Sequence, residues 1–334
     1  MSKISRRGLR ITVAAAGAGV IAIAAWTATA KAGPADAATS PMHNGQVTYR
    51  FVTLDDQQDV TFNQLLGISN AGTIAGYFGS GAAGHPNKGY LLFPPYGQGN
   101  YVNENFPGSA KTQLTGLNDN GTKVGFFSTM NNASMMNDNH GFWQRGGRYH
   151  VADFPTGDGA SPTVDQLLGV NDGDIAVGFW TDAAGNTHGY EYNIRTGRFS
   201  SVTDPNAPGA SLTAAAINND GAIAGFYANQ SGVTDGFLKT GHRFIDLAVP
   251  GASSTMALGV NDHDEVVGVY TDGSGSDAAM HGFTWTPQHG FTTVDDPHGI
   301  GTTTINGVND AGDLVGFYTD AAGNTDGLLA TAHR

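Results

Sequence analysis

Residues Gly116–Phe126 read G-L-N-D-N-G-T-K-V-G-F, and near-copies occupy Gly67–Tyr77, Gly169–Phe179, Ala216–Phe226, Gly259–Val269 and Gly307–Phe317. The last glycines of these copies (Gly76, Gly125, Gly178, Gly225, Gly268, Gly316) are separated by 49, 53, 47, 43 and 48 residues. A period of that size marks a repeat architecture, whose units bury their apolar faces only against neighbouring units. Inside each copy the Asn, Asp and Gly residues accept positive φ at modest cost and predict a hairpin turn. The apolar runs on either side then form two short strands, A and B.

Eleven to sixteen residues further on, a second glycine precedes an aromatic residue or Leu: Gly89-Tyr90, Gly141-Phe142, Gly189-Tyr190, Gly236-Phe237, Gly282-Phe283 and Gly327-Leu328. This doublet marks strand C. An aromatic-led strand D follows, as in Phe291–Asp296. Four short strands per repeat, arranged radially, predict β-propeller blades. The last repeat stops after strand C at Gly327–Ala330, while Tyr49–Asp56 matches strand D of the fifth repeat. The expected fold is therefore an all-β, six-bladed propeller of four-stranded blades spanning residues 46–334. Residues 47–55 should close the ring and remove its exposed edge. The repeat glycines Gly76, Gly125, Gly178, Gly268 and Gly316 are expected where backbone or an aromatic ring approaches closely.

Composition agrees with this assignment. The chain has 49 Gly and no Cys, only 13% of its residues are charged, and 26 of its 29 acidic residues are Asp. Helix-favouring Glu and Lys are scarce, so strands and turns dominate. Residues 1–37 stand apart as an export signal. Lys3, Arg6, Arg7 and Arg10 precede the apolar run Ile11–Trp26, and Ala35-Asp36-Ala37 is the preferred cleavage site over Ala28-Thr29-Ala30. Ser5–Arg10 also resembles a twin-arginine signal. A retained anchor at Ile11–Ala30 is the alternative, since that run is just long enough to span a bilayer.

Cleavage after residue 37 would leave a net charge of −17 on the remaining chain. That charge repels phosphate backbones and argues against a nucleic-acid partner. Without cysteine, an exported chain must be held by burial and β-ladders, and thiol chemistry is excluded. The expectation is a secreted monomer with no membrane contact once the signal is removed.

The triplets His140-Gly-Phe142, His188-Gly-Tyr190 and His281-Gly-Phe283, taken with the N-D-x-G units, resemble the HAF-family extracellular repeats of bacteria. The resemblance covers residues 46–334 and implies secretion and a repeat fold. It implies no single activity.

In a propeller, the B–C loops and the links between blades share one face. On that face the sequence places Asp182, Asp272 and Asp320 in B–C loops, with His140, His188, Asp235, His281 or Asp326 opening strand C. Asp153, Asp204, Asp295 and Asp296 fall in the links. The ligand-binding candidates are His140, Asp153, Asp182, His188, Asp204, Asp272 and His281, expected to gather around one mouth. A competing role is local, because a polar side chain before an obligatory glycine commonly braces the turn. The turn T-D-A-A-G-N-T occurs twice, at Thr181–Thr187 and Thr319–Thr325, followed once by His188 and once by Asp326. Its Asp182 and Asn186 suit an Asx turn, with a calcium site as the alternative, although the spacing is not that of an EF-hand.

Two insertions in blade 2, Ser128–Asn139 and Pro155–Pro162, either wall one side of a pocket or are tolerated drift. Familiar catalytic signatures are missing. Only three Glu occur (Glu104, Glu191, Glu265), and no G-x-S-x-G elbow, H-E-x-x-H helix or phosphate loop is present. No cofactor or metal is expected. The expected function is recognition of carbohydrate or another cell-surface polymer. The alternative is a glycoside hydrolase or polysaccharide lyase using Asp and His on the loop face.

Overall fold

A computed structural model describes residues 47–130, 138–156, 162, 164–228, 232–275 and 278–333. The export segment lies outside these residues, as do 131–137 and 157–161 of the two blade-2 insertions.

Six four-stranded antiparallel sheets make up the described chain, with a short 3-10 turn at Gln98–Asn100. After β1 (Thr48–Thr53), blade 1 comprises β2 (Asn63–Ile68), β3 (Ile74–Phe78), β4 (Lys88–Leu92) and β5 (Tyr101–Asn103). Blade 2 is β6 (Lys111–Leu117), β7 (Lys123–Ser128), β8 (His140–Arg145) and β9 (Arg148–Val151). Blade 3 is β10 (Val164–Val170), β11 (Ile175–Thr181), β12 (Thr187–Asn193) and β13 (Arg198–Val202). Blade 4 is β14 (Ser211–Ile217), β15 (Ile223–Ala228), β16 (Thr234–Thr240) and β17 (Arg243–Leu247). Blade 5 is β18 (Ser254–Val260), β19 (Val266–Asp272), β20 (Ala279–Thr286) and β21 (Gly290–Val294). Blade 6 has β22 (Thr304–Val308), β23 (Leu314–Thr319) and β24 (Thr325–His333) from the C-terminus, and β1 supplies its outer strand.

This closure follows the sequence expectation. β1 pairs antiparallel with β24 from Thr48↔His333 to Thr53↔Leu328. Two backbone contacts finish the clasp: Leu54 N–H donates to Gly327 O at 2.9 Å, and Gly327 N–H donates to Asp55 Oδ1 at 2.9 Å.

The paired glycine-aromatic doublets form a reciprocal lock between strands B and C. Gly178 lies opposite Tyr190 while Phe179 lies opposite Gly189, and Gly125/Phe142 with Phe126/Gly141 repeat the arrangement. Tyr90, Phe142, Tyr190, Phe237 and Phe283 are completely buried there, and each ring covers a strand-B glycine that offers no side chain. A bulge in every strand A, such as Leu167/Gly169, brings a carbonyl oxygen onto that same glycine. A Cβ on Gly178 would be driven into Gln166 O, and on Gly125 into Gln113 O. Aliphatic packing between blades completes the core. Val177 of blade 3, for example, packs with Leu212, Ile223 and Phe237 of blade 4.

The N-D pair of each repeat does more than form a turn. Backbone N–H groups of Asn70, Asp119, Asp172, Asn219, Asp262 and Asp310 each donate to the side-chain Oδ1 of the next residue in that series. The series closes on itself, with every bond between 2.8 and 2.9 Å. Just beneath it, Asn118, Asn171, Asn218 and Asn261 donate Nδ2 to the backbone oxygen of the next blade's Asn. The repeat motif is thus a hydrogen-bonded hoop around the axis.

Two outcomes are expected from this packing. A chain beginning after Gln57 loses β1 and should melt about 10 °C lower, with a broader transition, because ring closure and several buried side chains go together. An unchanged melt would contradict the clasp. Gly178→Val should cost about 3 kcal/mol in denaturant unfolding, since the obstacle is backbone that cannot rotate away; a change below a few tenths would remove the steric argument.

Candidate functional site

Antiparallel order from the axis outward puts the A–B and C–D turns on one face and the B–C loops and inter-blade links on the other. On the loop face, the residue just before the strand-C glycine sits opposite an aromatic residue of strand B in all six blades. The pairs are Phe78↔Lys88, Phe127↔His140, Trp180↔His188, Tyr227↔Asp235, Tyr270↔His281 and Tyr318↔Asp326. Where the polar partner is histidine, the rings face one another. Centroid separations are 5.3 Å for Phe127–His140, 4.5 Å for Trp180–His188 and 5.2 Å for Tyr270–His281.

Acidic groups orient each imidazole differently. His140 Nδ1 meets Asp153 Oδ2 at 2.8 Å and its Nε2 meets Asp138 Oδ1 at 3.1 Å. The hydrogen bond to Asp153, reinforced by both negative charges, raises the His140 pKa despite partial burial. In blade 5, His281 Nδ1 meets Asp295 Oδ2 at 2.7 Å, and burial raises the Asp295 pKa against the opposing pull of that histidine. His188 instead reaches its own B–C turn, with Nε2 3.0 Å from Asp182 Oδ2. Bonds from His188 and Asn186 hold the Asp182 carboxyl far below the ordinary range. Trp180 also stacks with Phe154 of the blade-2/blade-3 link, 5.2 Å away and nearly parallel at 10°.

Behind the His140–Asp153 pair lies Asp165, fully buried and bonded by Phe154 N–H and Tyr190 O–H. Burial pushes its pKa well up. Asp165 supports the link from beneath and is sealed from solvent.

Most of the seven sequence candidates form local pairs. His140 with Asp153, and His188 with Asp182, form compact pairs within their own blades, spread at the radius of strand C; His281 pairs with Asp295. Asp204 is buried and caps its own link, accepting Asn206 N–H at 2.8 Å. The register places Thr203, and not Asp204, at the position of Asp153, because Val202 lies opposite Gly189 as Ala152 adjoins Gly141. Asp272 is the exposed last residue of β19, two residues beyond Tyr270 and off the His281–Asp295 pair. Sequence inspection missed the strand-B aromatics, although an aromatic or Tyr/Trp at that place in all six copies was the available signal.

The duplicated turn is structurally the same in both copies. Asp182 Oδ1 accepts the N–H groups of Ala184 and Asn186, and Asp320 Oδ1 those of Ala322 and Asn324. Both carboxylates thus form Asx turns. Among the described residues, no group of three or more His, Asp or Glu is arranged to hold a metal ion. Exchanging His188 for Asp326 changes the electrostatics: blade 6 brings Asp326 and Asp320 beside Asp55 at the ring clasp. Burial, then the neighbouring acids, raise the Asp55 pKa to about 6 against the opposing bond from Gly327, and Asp326 is raised as well.

Similarity to known proteins lies in the fold. No family profile and no characterised sequence matches the chain. Among solved structures, TolB from Acinetobacter baumannii superposes with TM-score 0.50 at 11% identity, covering 78% of this chain and 63% of that one. A protein assigned as TolB from Agrobacterium tumefaciens gives 0.55 at 11% identity, covering 87% of this chain and all of that one. Trypanosoma rangeli sialidase in complex with the inhibitor DANA gives 0.52 at 10%, covering 81% of this chain and 55% of that one. SapL1 lectin in complex with α-methyl fucoside gives 0.50 at 10%, covering 79% and 90%. At such identities the likeness establishes the propeller fold alone.

The clasp gives a pH prediction. An unfolded Asp titrates near 4, while folded Asp55 titrates at about 6. Between those values the native chain holds more protons, so the clasp contribution falls as pH rises from about 4 to about 6 and is then constant. Asp55→Asn keeps an acceptor for Gly327 N–H and removes the partly buried charge together with its repulsion by Asp326 and Asp320. It should raise the melting temperature at pH 7 and leave it unchanged at pH 4. A lower melting temperature at pH 7 would refute the repulsion.

Proposed function

We propose that the chain is a secreted recognition module that binds carbohydrate, or another cell-surface polymer, through the aromatic–polar pairs of its loop face, acting as a monomer. The observation that carries this reading is an aromatic ring stacked beside an imidazole on two blades, Trp180–His188 and Tyr270–His281, whose four side chains are only partly buried, whereas Phe78, Phe127, Tyr227 and Tyr318 of the other blades are buried. Aromatic faces cover the C–H surface of a sugar ring while carboxylate and imidazole groups bond its hydroxyls, so this pairing fits the ligand class. The Phe154–Trp180–His188 stack is the better developed of the two.

Hydrolysis or lyase chemistry is supported less. His140 meets Asp153 and Asp138, yet all three belong to blade 2 and the pair lies on an open face. A space of about 120 Å³ at the axis is lined by strand-A residues such as Leu66, Gly116 and Leu168, not by these pairs. The HAF-like repeats and the basic-apolar N-terminus support an extracellular setting.

A glycan array, run with activity assays on acidic polysaccharides, identifies the ligand class. Trp180→Ala should then reduce affinity about tenfold or more, as loss of a central aromatic anchor does. His188→Asn should weaken binding with almost no change in melting temperature, whereas Asp326→Asn should leave binding intact. If His188→Asn and Asp326→Asn give the same small stability loss and no binding change, both residues only brace their turns.

A further inference from the structure

We propose a second binding surface on the opposite, A–B/C–D face, at the junction of blades 2 and 3, that takes the anionic groups (carboxylate or sulfate) of an acidic polysaccharide. It does not rest on the loop-face sites. Six of the ten Lys and Arg residues described lie on the C–D hairpins of three consecutive blades: Arg145, Arg148, Arg195, Arg198, Lys239 and Arg243. In a strongly acidic chain, that is a concentration of cationic charge no single stretch of sequence displays.

The core of the surface is a pair of guanidinium groups from different blades. Arg145 Nη1 donates to Asp174 Oδ2 at 3.0 Å, and Arg195 Nε stands 3.7 Å from the same oxygen. Those nitrogens are therefore no more than about 7 Å apart. Asp174 is committed elsewhere too, its Oδ1 accepting Thr122 Oγ1–H at 3.0 Å. One shared carboxylate leaves the pair with net positive charge and several outward N–H donors, since a guanidinium carries five. The Arg145 and Arg195 side chains remain 47% and 67% exposed. Asp174 also occupies a left-handed backbone position (φ 59°) where four other repeats place glycine (Gly72, Gly121, Gly221, Gly312). Blade 5 also places an aspartate there, Asp264 (φ 56°), whose Oδ1 accepts from Asn218 Nδ2 at 3.2 Å; Asp174 differs in that its Oδ2 meets two arginines.

Arg148 adds a third cation. It lies directly opposite Arg145 across the Gly146-Gly147 turn, a like-charge cross-strand pair that is unfavourable until an anion bridges it. On the same hairpin face, Trp143 and His150 stack at 4.0 Å and 12°, with His150 exposed. This ring pair is a platform for a sugar beside the cationic cluster. Partner chemistry follows from the charge around it. Asp119, Asp172, Asp262 and Asp310 ring the axis on this face, and they repel a duplex carrying a charge every ~1.7 Å. A polysaccharide carrying about one charge per sugar can seat an anion on the arginines without running over those carboxylates.

Affinity electrophoresis of the chain through alginate, dextran sulfate and neutral dextran tests this. Retardation by alginate, by dextran sulfate, or by both is expected, weakening with salt and absent in neutral dextran; the polymer that retards identifies carboxylate or sulfate as the source. Arg148→Gln with Arg198→Gln, which removes no contact seen within the fold, should weaken association about tenfold. Arg145→Gln with Arg195→Gln should do so at least as strongly. Trp180→Ala, on the other face, should retain full retardation even if glycan binding there is lost or never existed. The proposal is overturned if neither anionic polymer retards the chain, or if the Arg148/Arg198 variant is unchanged. It is also overturned if Trp180→Ala abolishes retardation, or if a DNA duplex binds more tightly than both polymers through the same arginines.

Discussion

Everything in this molecule is arranged around the close approach of six strand-A backbones at the axis. A Cβ on Gly67 would stand 3.2 Å from the Gly116 Cα, one on Gly116 3.2 Å from Gly169, and one on Gly259 3.1 Å from Gly307. Only Ala216 carries a side chain at that position. Side chains larger than methyl would spread the ring there, and the blades would lose their mutual packing. The Asn/Asp hoop holds the same ring from one end by polar bonds between neighbours. Each of its members satisfies a backbone N–H that the tight turn would otherwise leave to solvent, so the hoop and the turn reinforce one another.

With the axis set, the remaining layers divide the work. Strands B and C interlock through reciprocal glycine-aromatic pairs, and this dictates one rigid spacing between the inner and outer halves of each blade. Residues before the strand-C glycine then project at a fixed radius on the loop face, always beside an aromatic ring. Their identity is free to vary because the turn holding them is satisfied by its own Asx bonds. That explains why the T-D-A-A-G-N-T segment can be followed by His188 in one blade and Asp326 in another. The exchange replaces a hydrogen bond from the imidazole to Asp182 by an acidic neighbourhood around Asp55.

The propeller also separates charge. Acidic and imidazole groups occupy the loop face, a carboxylate-rich hoop circles the axis on the other, and six of the ten Lys and Arg among the described residues sit on the outer C–D hairpins. Long-range attraction of ligands to such a surface depends on which face they approach. A net charge for the whole chain says nothing about that division.

The repeat glycines, the Asn-Asp turns and the match between Tyr49–Asp56 and Phe291–Asp296 made the blade number, strand order and ring closure legible from sequence, because each is a local signal repeated at a fixed period. Glycine at 178 also announced a close approach, though not that Gln166 O would be the obstacle. The polar site was less legible. Which link residue faces each histidine depends on a one-residue register, and that register put Asp153 and Asp295 against His140 and His281 while Asp204 turned inward to cap its own loop. The hoop was hidden because its bonds join residues one blade apart, and the arginine pair because Arg145 and Arg195 meet only through Asp174. Sequence by itself determined the scaffold, since period and turn chemistry act within one repeat; tertiary structure alone decided the contacts, since those bonds join side chains brought together only when the ring closes.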